Sequence, residues 1–206
     1  MNTIKLYGTP LSGHCHRVSM LLDMLQLSYE YIESAGARQT PEFLKLNPLG
    51  QVPVLTDGDL VLCDSNAILV YLVKRYAADS AWLSADTVEA AHIQRWLSIA
   101  AGEVRYGPAS ARMTSLWKLK GEVDIELASA IAAKLLRVMN AHLADRNWLA
   151  TAQPTIADLA CYSYIAHASE GRISLEPYPA VRAWLKRVEG LPQFRPMPTS
   201  VVPSAS

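Results

Sequence analysis

Gly50-Gln51-Val52-Pro53-Val54-Leu55, followed nine residues later by Asp64-Ser65, is the stretch that decides how the rest of this chain folds. A residue before proline is pushed from helical into extended geometry, so Val52 is expected to turn its own N–H and C=O sideways. A peptide-like ligand can pair there as an added strand. Pro53 has no N–H to give a sheet and belongs at a strand's first residue or on a bulge, after which Val54-Leu55 can run on as a buried strand. Thr56-Asp57-Gly58-Asp59 carries an Asp-Gly turn signal, and Leu60-Val61-Leu62-Cys63 reads as the returning strand. Asp64, Ser65 and Asn66 then offer N-cap residues to a helix running through Leu72, whose first backbone N–H groups attract a carboxylate.

Upstream, Ile4-Lys5-Leu6-Tyr7 suits a short strand, and Gly8 to Gly13 a turn that delivers Ser12 to the next element. Val18, Leu21, Leu22 and Leu25 recur at i, i+3, i+4 and i+7, a helix with one apolar face. Tyr29 to Ile32 reads as a second strand, and Thr40-Pro41-Glu42 opens a short helix through Leu46. The order is βαβ, a short helix, then ββα. Downstream, 78–86 is a polar connector and everything after it reads as helical. Ile93, Trp96, Leu97, Ala100, Ala101 and Val104 form one apolar stripe, and Gly107-Pro108 predicts a bend, because proline removes the bond to the Val104 carbonyl. Ile131, Leu135 and Val138 mark another amphipathic helix; Val181, Trp184, Leu185 and Val188 mark a last one. Thr155-Ile156-Ala157-Asp158 is a capping box before a helix through Ala166 that is apolar almost all round, so Asp158 is expected to be a structural charge at the centre of the second half. Pro192 to Ser206, with Pro196, Pro198 and Pro203, reads as coil. The expected organisation is an α/β domain at 1–77, a linker at 78–86 and an all-α domain at 87–206.

With 206 residues the chain buries most of the surface its unfolded form exposes. Its 19 basic and 19 acidic residues leave no net formal charge, so no broad field draws it to nucleic acid or anionic lipid; a small or neutral partner fits better. Three separated cysteines, Cys15, Cys63 and Cys161, argue against a disulfide framework, for a reducing compartment, and offer no zinc spacing. The run Asn2-Thr3-Ile4-Lys5-Leu6-Tyr7 lacks the layout of an export signal, and no apolar run reaches membrane-spanning length, so a cytoplasmic protein is expected.

The run Asn47 to Leu55, NPLGQVPVL, followed by Leu60, Leu62, Asp64, Ser65, Ala67, Ile68, Leu69, Tyr71 and Leu72 in L-x-L-x-D-S-x-A-I-L-x-Y-L, resembles the glutathione-binding half of the cytosolic glutathione transferases. Asp64 stands where many members have glutamate. The resemblance implies a cis proline at Pro53 and a γ-glutamyl group held by Asp64 and Ser65. It extends to the second half, because the family's helical domain carries the same capping box before its most buried helix. It therefore implies a thioredoxin-like βαβ-α-ββα domain followed by a helical-bundle domain, and a homodimer active in detoxification.

Ser12-Gly13-His14-Cys15 has the spacing of a C-x-x-C motif whose leading cysteine is serine, so two-cysteine disulfide exchange is unavailable. A hydroxyl can instead donate to a bound thiolate. A thiol with pKa about 8.5 needs a drop of about two units, or roughly 2.7 kcal/mol, to be mostly ionised at neutral pH. A hydrogen bond to a charged group contributes about 1.5–3 kcal/mol and a helix N-terminus about 0.3–1, so no metal or general base is required. Ser12 also stands five residues before Arg17, as the hydroxyl does in bacterial serine-type, phi- or theta-like transferases, and the resemblance makes it the catalytic residue. Tyr7 and Cys15 are the alternatives, the donor positions of tyrosine-type and cysteine-type classes. Arg38, Gln39, Gln51, Val52, Pro53, Asp64 and Ser65 are the expected glutathione contacts. Glu103, Tyr106, Arg112 and Met113, with Trp117 just beyond, are the expected electrophile contacts on the bent helix. The expected reaction is conjugation of glutathione, a co-substrate, to a small electrophile. A glutathione-dependent isomerase, dehalogenase or thiol-disulfide reductase, and a non-catalytic binding module, are the alternatives.

Overall fold

Ile4–Gly8 (β1) buries Ile4, Leu6 and Gly8 and leaves Lys5 and Tyr7 partly exposed, the period-two alternation of a strand with one face inward. The computed structural model describes residues 3–117 and 124–202. Gly13–Met24 (α1) carries the chain to Tyr29–Glu33 (β2), which pairs parallel to β1, Leu6 opposite Tyr31. After Pro41–Leu46 (α2) come Val54–Asp57 (β3), antiparallel to β1, and Leu60–Cys63 (β4), antiparallel to β3. The sheet order is β2-β1-β3-β4, and Ser65–Tyr76 (α3) closes this thioredoxin-like half.

The helices start where side chains can satisfy their first N–H groups. Ser12, Thr40 and Asp64 are the N-caps of α1, α2 and α3, and Pro41 sits at the first position of α2, where its missing N–H costs nothing. The apolar face of α1 is buried: Val18, Leu21 and Leu22 are each 0% exposed. No glycine ends this helix. Gln26 adopts φ 54° instead, and the Leu27 N–H returns to the Leu22 carbonyl at 3.0 Å while the Gln26 N–H reaches Asp23.

Among the described residues, the regular elements of the second half are all helical. Thr87–Ile99 (α4) runs on through a π-helical stretch, Ala100–Ala109, into Ser110–Trp117 (α5). Pro108 lies inside that stretch, where its ring opposes the ordinary i→i+4 ladder; the wider turn accommodates it, and the Ser110 N–H bonds five residues back to the Arg105 carbonyl. The expected bend is thus a change of helical register. Ile125–His142 (α6), Ile156–Ala166 (α7) and Pro179–Glu189 (α8) follow, with a 3₁₀ turn at Ala168–Gly171. The buried face of α6 is Ala128, Ala132, Leu135, Leu136 and Met139, while Val138 is 47% exposed. Alanines lead that face because α6 lies close against the π stretch: a Cβ on Gly107 would stand 2.9 Å from the Ala132 nitrogen. Ala101, expected in the α4 stripe, is exposed.

In α7 every residue from Ile156 to Ile165 is buried. Asp158 completes the capping box, accepting from the Thr155 N–H at 2.9 Å, and also accepts from the Leu149 N–H at 3.0 Å and Trp184 Nε1 at 2.9 Å. Helix α1 packs against α7, and one continuous apolar cluster joins Leu6 and Val18 to Trp96, Tyr164 and Trp184. The proline-rich tail has coil backbone yet is tied down: Met197 is buried, and the Ser200 N–H bonds Glu170 at 3.0 Å. Pro203 lies outside the described residues.

Candidate functional site

Three segments converge on the N-terminus of α1. The first is the loop from β1 into α1. Ser12 accepts the Cys15 N–H at 3.4 Å as its N-cap, and Ser12 also lines a cavity of about 710 Å³, within the roughly 300–1,000 Å³ of small-molecule sites. The second is the turn before β3. Gly50 takes φ 61°, where a Cβ would meet Gln39 Nε2 at 2.7 Å, and Asn47 donates to the Gln51 carbonyl at 2.8 Å. The Val52–Pro53 peptide is cis, and strand pairing starts only at Val54, so Val52 stays outside the ladder and on the cavity wall. The third is the register-shifted helix. Arg105, Ala109, Met113 and Trp117 recur every four residues along the cavity, with Ser110 and Arg112 between them.

Of the residues expected from the sequence, Ser12, Arg38, Gln51, Val52, Arg112 and Met113 share this cavity, and Trp117 joins them. Gln39 packs behind it against Gly50. Asp64 and Ser65 stand to one side at the start of α3, linked to α1 by Arg17, whose Nη1 donates to Ser65 Oγ at 3.2 Å and to Asn66 Oδ1 at 2.9 Å. Asp64 has φ 71°, a sparsely populated conformation costing on the order of 1–3 kcal/mol, and Oδ1 accepts the N–H groups of Asn66 and Ala67 at 2.9 Å each. Those two N–H groups are therefore held by Asp64 itself and are not open to a carboxylate. Pro53 is buried beneath the turn.

Four expected positions lie elsewhere. Tyr7 is outside the cavity, in register with Ile32 and Val54 in the sheet. Cys15 is 1% exposed beneath Gly8, whose added Cβ would meet the sulfur at 2.9 Å, and burial pushes its thiol pKa up. Glu103 is exposed, and Tyr106 carries the Arg105 guanidinium 5.3 Å above its ring instead of lining the cavity. Arg105, within the π-helical stretch, lines the cavity where Glu103 and Tyr106 had been expected. Glu33, His14, Arg105 and Tyr164 line the cavity without having been expected there. Tyr164 had a signal, a polar tip inside an otherwise apolar helix; the inward turn of Arg105 had none.

The wall is electropositive. Arg38, Arg105 and Arg112 face it against one carboxylate, Glu33. Arg112 is 2% exposed; Nε donates to Glu170 Oε2 at 2.6 Å, Nη1 to the Leu11 carbonyl at 2.8 Å, and the guanidinium lies 5.3 Å over the Trp117 ring. Burial first, then Arg17 and Arg105, hold His14 neutral with a pKa well below the usual histidine range. Behind it His16 is also neutral, its pKa brought down to about 4 by burial, with His167 and Arg17 adding to that against the Arg195 carbonyl. Since a carbonyl only accepts, Nε2 must carry the proton toward Arg195 at 2.8 Å, and Nδ1 accepts from Ser163 at 2.9 Å. An anion held at the start of α1 thus meets a hydroxyl, a helix N-terminus and arginine charge together. Among the described residues no group of three or more His, Cys, Asp or Glu is placed to hold a metal ion, and no helix is long and apolar enough to cross a membrane.

Comparison with known proteins gives two matches to family models: residues 6–80 to the glutathione S-transferase N-terminal domain and residues 104–192 to the glutathione S-transferase C-terminal domain. Glutathione S-transferase 3 of Zea mays is 33% identical over 95% of this chain and 93% of its own length. The disulfide-bond oxidoreductase YfcG of Escherichia coli is 29% identical over 92% of this chain and 91% of its own. A crystal structure of a glutathione transferase homologue from Drosophila mojavensis, with bound glutathione, superposes with a TM-score of 0.83 at 31% identity, covering 93% of this chain and 90% of that one.

Proposed function

The chain belongs to the glutathione S-transferase family, and from that premise we propose that it binds glutathione in this cavity and conjugates its thiolate to a small electrophilic carbon. The observation that carries the reading is Ser12, which caps α1 and lines the cavity at once. The peptide backbone of glutathione runs along Val52 beside Gln51, and its γ-glutamyl amine meets the oxygen of Asp64 that α3 leaves unused, next to Ser65. Arg38 faces its other end. The bound homologue from Drosophila mojavensis supports glutathione as the ligand.

The chemistry needs little from the protein. The thiol passes its proton to solvent, Ser12 donates a hydrogen bond to the sulfur, and the sulfur pair forms a bond to carbon as the leaving group departs with its own electrons. A charge-assisted hydrogen bond of about 1.5–3 kcal/mol and the helix terminus at about 0.3–1 cover the roughly 2.7 kcal/mol needed. The electrophile lies against Met113 and Trp117, with Arg112 and Arg105 on the polar side. The buried, poorly ionised thiol of Cys15 argues against disulfide exchange through that residue.

Ser12→Ala tests this. Turnover of a chloronitrobenzene with glutathione should fall about tenfold or more, as expected from loss of a hydrogen bond to a charged group; unchanged turnover eliminates the serine mechanism. Failure to be retained on immobilised glutathione would instead favour a non-catalytic module. The same premise extends to a cytoplasmic homodimer acting in detoxification, and sedimentation of a 22.6 kDa particle at micromolar protein would remove the dimer.

A further inference from the structure

Arg112 reaches across from the helical half to the loop that carries Ser12. Its Nη1 donates to the Leu11 carbonyl at 2.8 Å, and that carbonyl belongs to the peptide unit whose nitrogen is Ser12's own. The other side of the same peptide is held as well, since the Ser12 N–H donates to the Thr9 carbonyl at 3.1 Å. Beyond it the serine is fixed by its own helix: its carbonyl accepts the His16 N–H at 2.9 Å and its Oγ the Cys15 N–H at 3.4 Å. Of these bonds, the one from Arg112 alone comes from the helical half. The guanidinium is itself fixed from behind. Nε donates to Glu170 Oε2 at 2.6 Å, and the 3₁₀ turn that carries Glu170 is pressed on α5 so tightly that a Cβ on Gly171 would meet the Arg112 nitrogen at 2.8 Å.

A peptide unit is planar, so holding its oxygen on one side and its N–H on the other fixes the plane from which the Ser12 side chain departs. A guanidinium suits the task because its donors lie in one rigid fork, so a bond to Glu170 sets the direction of the bond to Leu11. We propose that Arg112 is a positioning residue for Ser12: it clamps the Leu11–Ser12 peptide and so aims the serine hydroxyl at the glutathione sulfur. The proposal rests on the serine reading above and adds to it what holds the loop in place. It gives Arg112 a task separate from contact with the electrophile, and it makes the aim of the hydroxyl depend on the join between the two halves, since α5 supplies the guanidinium and the β1–α1 loop the serine. A misplacement of about 1 Å can cost on the order of a hundredfold in rate, so partial loosening of this loop is measurable.

The test compares Arg112→Lys, Ser12→Ala and the double variant in the full-length protein, titrating the bound glutathione thiol by its ultraviolet thiolate absorbance. A lysine ammonium keeps the charge opposite Glu170 but, as a point donor, cannot span Glu170 and Leu11 together. A thermal melt run alongside reports on the fold; should Arg112→Lys not fold, Arg112→Met combined with Glu170→Gln, which strands no charge, carries the same readouts. The expected result is a bound-thiol pKa higher by about 0.5–1 unit and a roughly three- to tenfold loss of turnover near pH 6.5 that shrinks as pH rises. Glutathione KM should change little, and the loss should be the same for a neutral chloronitrobenzene and for a chloronitrobenzoate. Adding Arg112→Lys to Ser12→Ala should move the thiol pKa no further. If Ser12→Ala raises the thiol pKa while Arg112→Lys leaves it where it was, the clamp is overturned and the serine reading survives. A loss confined to the chloronitrobenzoate, or a pKa shift that persists in the Ser12→Ala background, overturns it too, because Arg112 then acts on the electrophile or on the sulfur directly. If Ser12→Ala itself leaves the thiol pKa unchanged, both fail together.

Discussion

Replacing Arg112 with methionine removes a positive charge from a place where its partner cannot reach water. The side chains of Arg112 and Glu170 are 2% and 7% exposed and meet at 2.6 Å. Removing one member of a buried pair costs about 3–5 kcal/mol, because the other is left as an uncompensated charge. Glu170 Oε1 keeps two donors, His167 Nδ1 at 2.7 Å and the Ser200 N–H at 3.0 Å, which places the loss at the lower end, about 3 kcal/mol. The Leu11 carbonyl loses its donor too, and being next to the cavity it can take water instead, adding about 1 kcal/mol or less. The sum, about 3–4 kcal/mol, is a large share of the roughly 5–15 kcal/mol that holds a typical domain folded. Urea unfolding at neutral pH measures it directly. The loss also has a pH signature. Burial alone would raise the Glu170 pKa, but His167, the Ser200 N–H and Arg112 together hold it below the usual carboxylate range. A carboxylate depressed in the folded state contributes stability above its unfolded pKa of about 4.3 and loses it as pH falls through the folded value. Without Arg112 that depression weakens, so the gap between wild type and Arg112→Met should narrow on acidification. Glu170→Gln, added to Arg112→Met, removes the stranded charge and should recover stability. A cost under about 1 kcal/mol, or a double variant no more stable than Arg112→Met, would refute the accounting.

Histidine resonances followed by NMR should leave His16 neutral down to about pH 4; a midpoint between 6 and 7 would contradict the tautomer drawn from Ser163 and Arg195. Because the unfolded chain takes up that proton near pH 6.5 and the folded one does not, stability should fall by about 3 kcal/mol between pH 6.5 and 4, and His16→Gln should flatten that slope. Asp158→Ala strands donors from Leu149, Thr155 and Trp184 at the buried N-terminus of α7 and should cost about 3–5 kcal/mol in urea, whereas Asp158→Asn, which keeps one acceptor oxygen, should cost less.

Where local chemistry decides structure, the sequence was readable. Val52-Pro53, the Asp57-Gly58 turn, Asp64 and Thr155 each act on neighbours within four residues, and the elements they bound fall where those residues require. The α6 face was less so, since its phase was set by a partner: Gly107 and Ala132 bring two backbones together, and the stripe follows that contact rather than the larger Ile131 and Val138.

The cavity divides along the same line. Ser12, Gln51 and Val52 are placed by turns and caps encoded beside them, so their approach to one another was visible in the chain. The far wall is placed by a helix whose turn widens around Pro108, and reading that proline as a bend gave no account of the change of register, so Glu103 and Tyr106 were expected at the wall. An i→i+5 turn carries one more residue per hydrogen bond, so every side chain beyond it is rotated, and Arg105 comes inward. Tyr164 depends on nothing local at all; it meets Gly13 because α7 is the helix on which α1 packs. A proline that changes helical register therefore governs which residues of that helix face the cavity, while packing between the halves brings the Tyr164 ring to the first turn of α1.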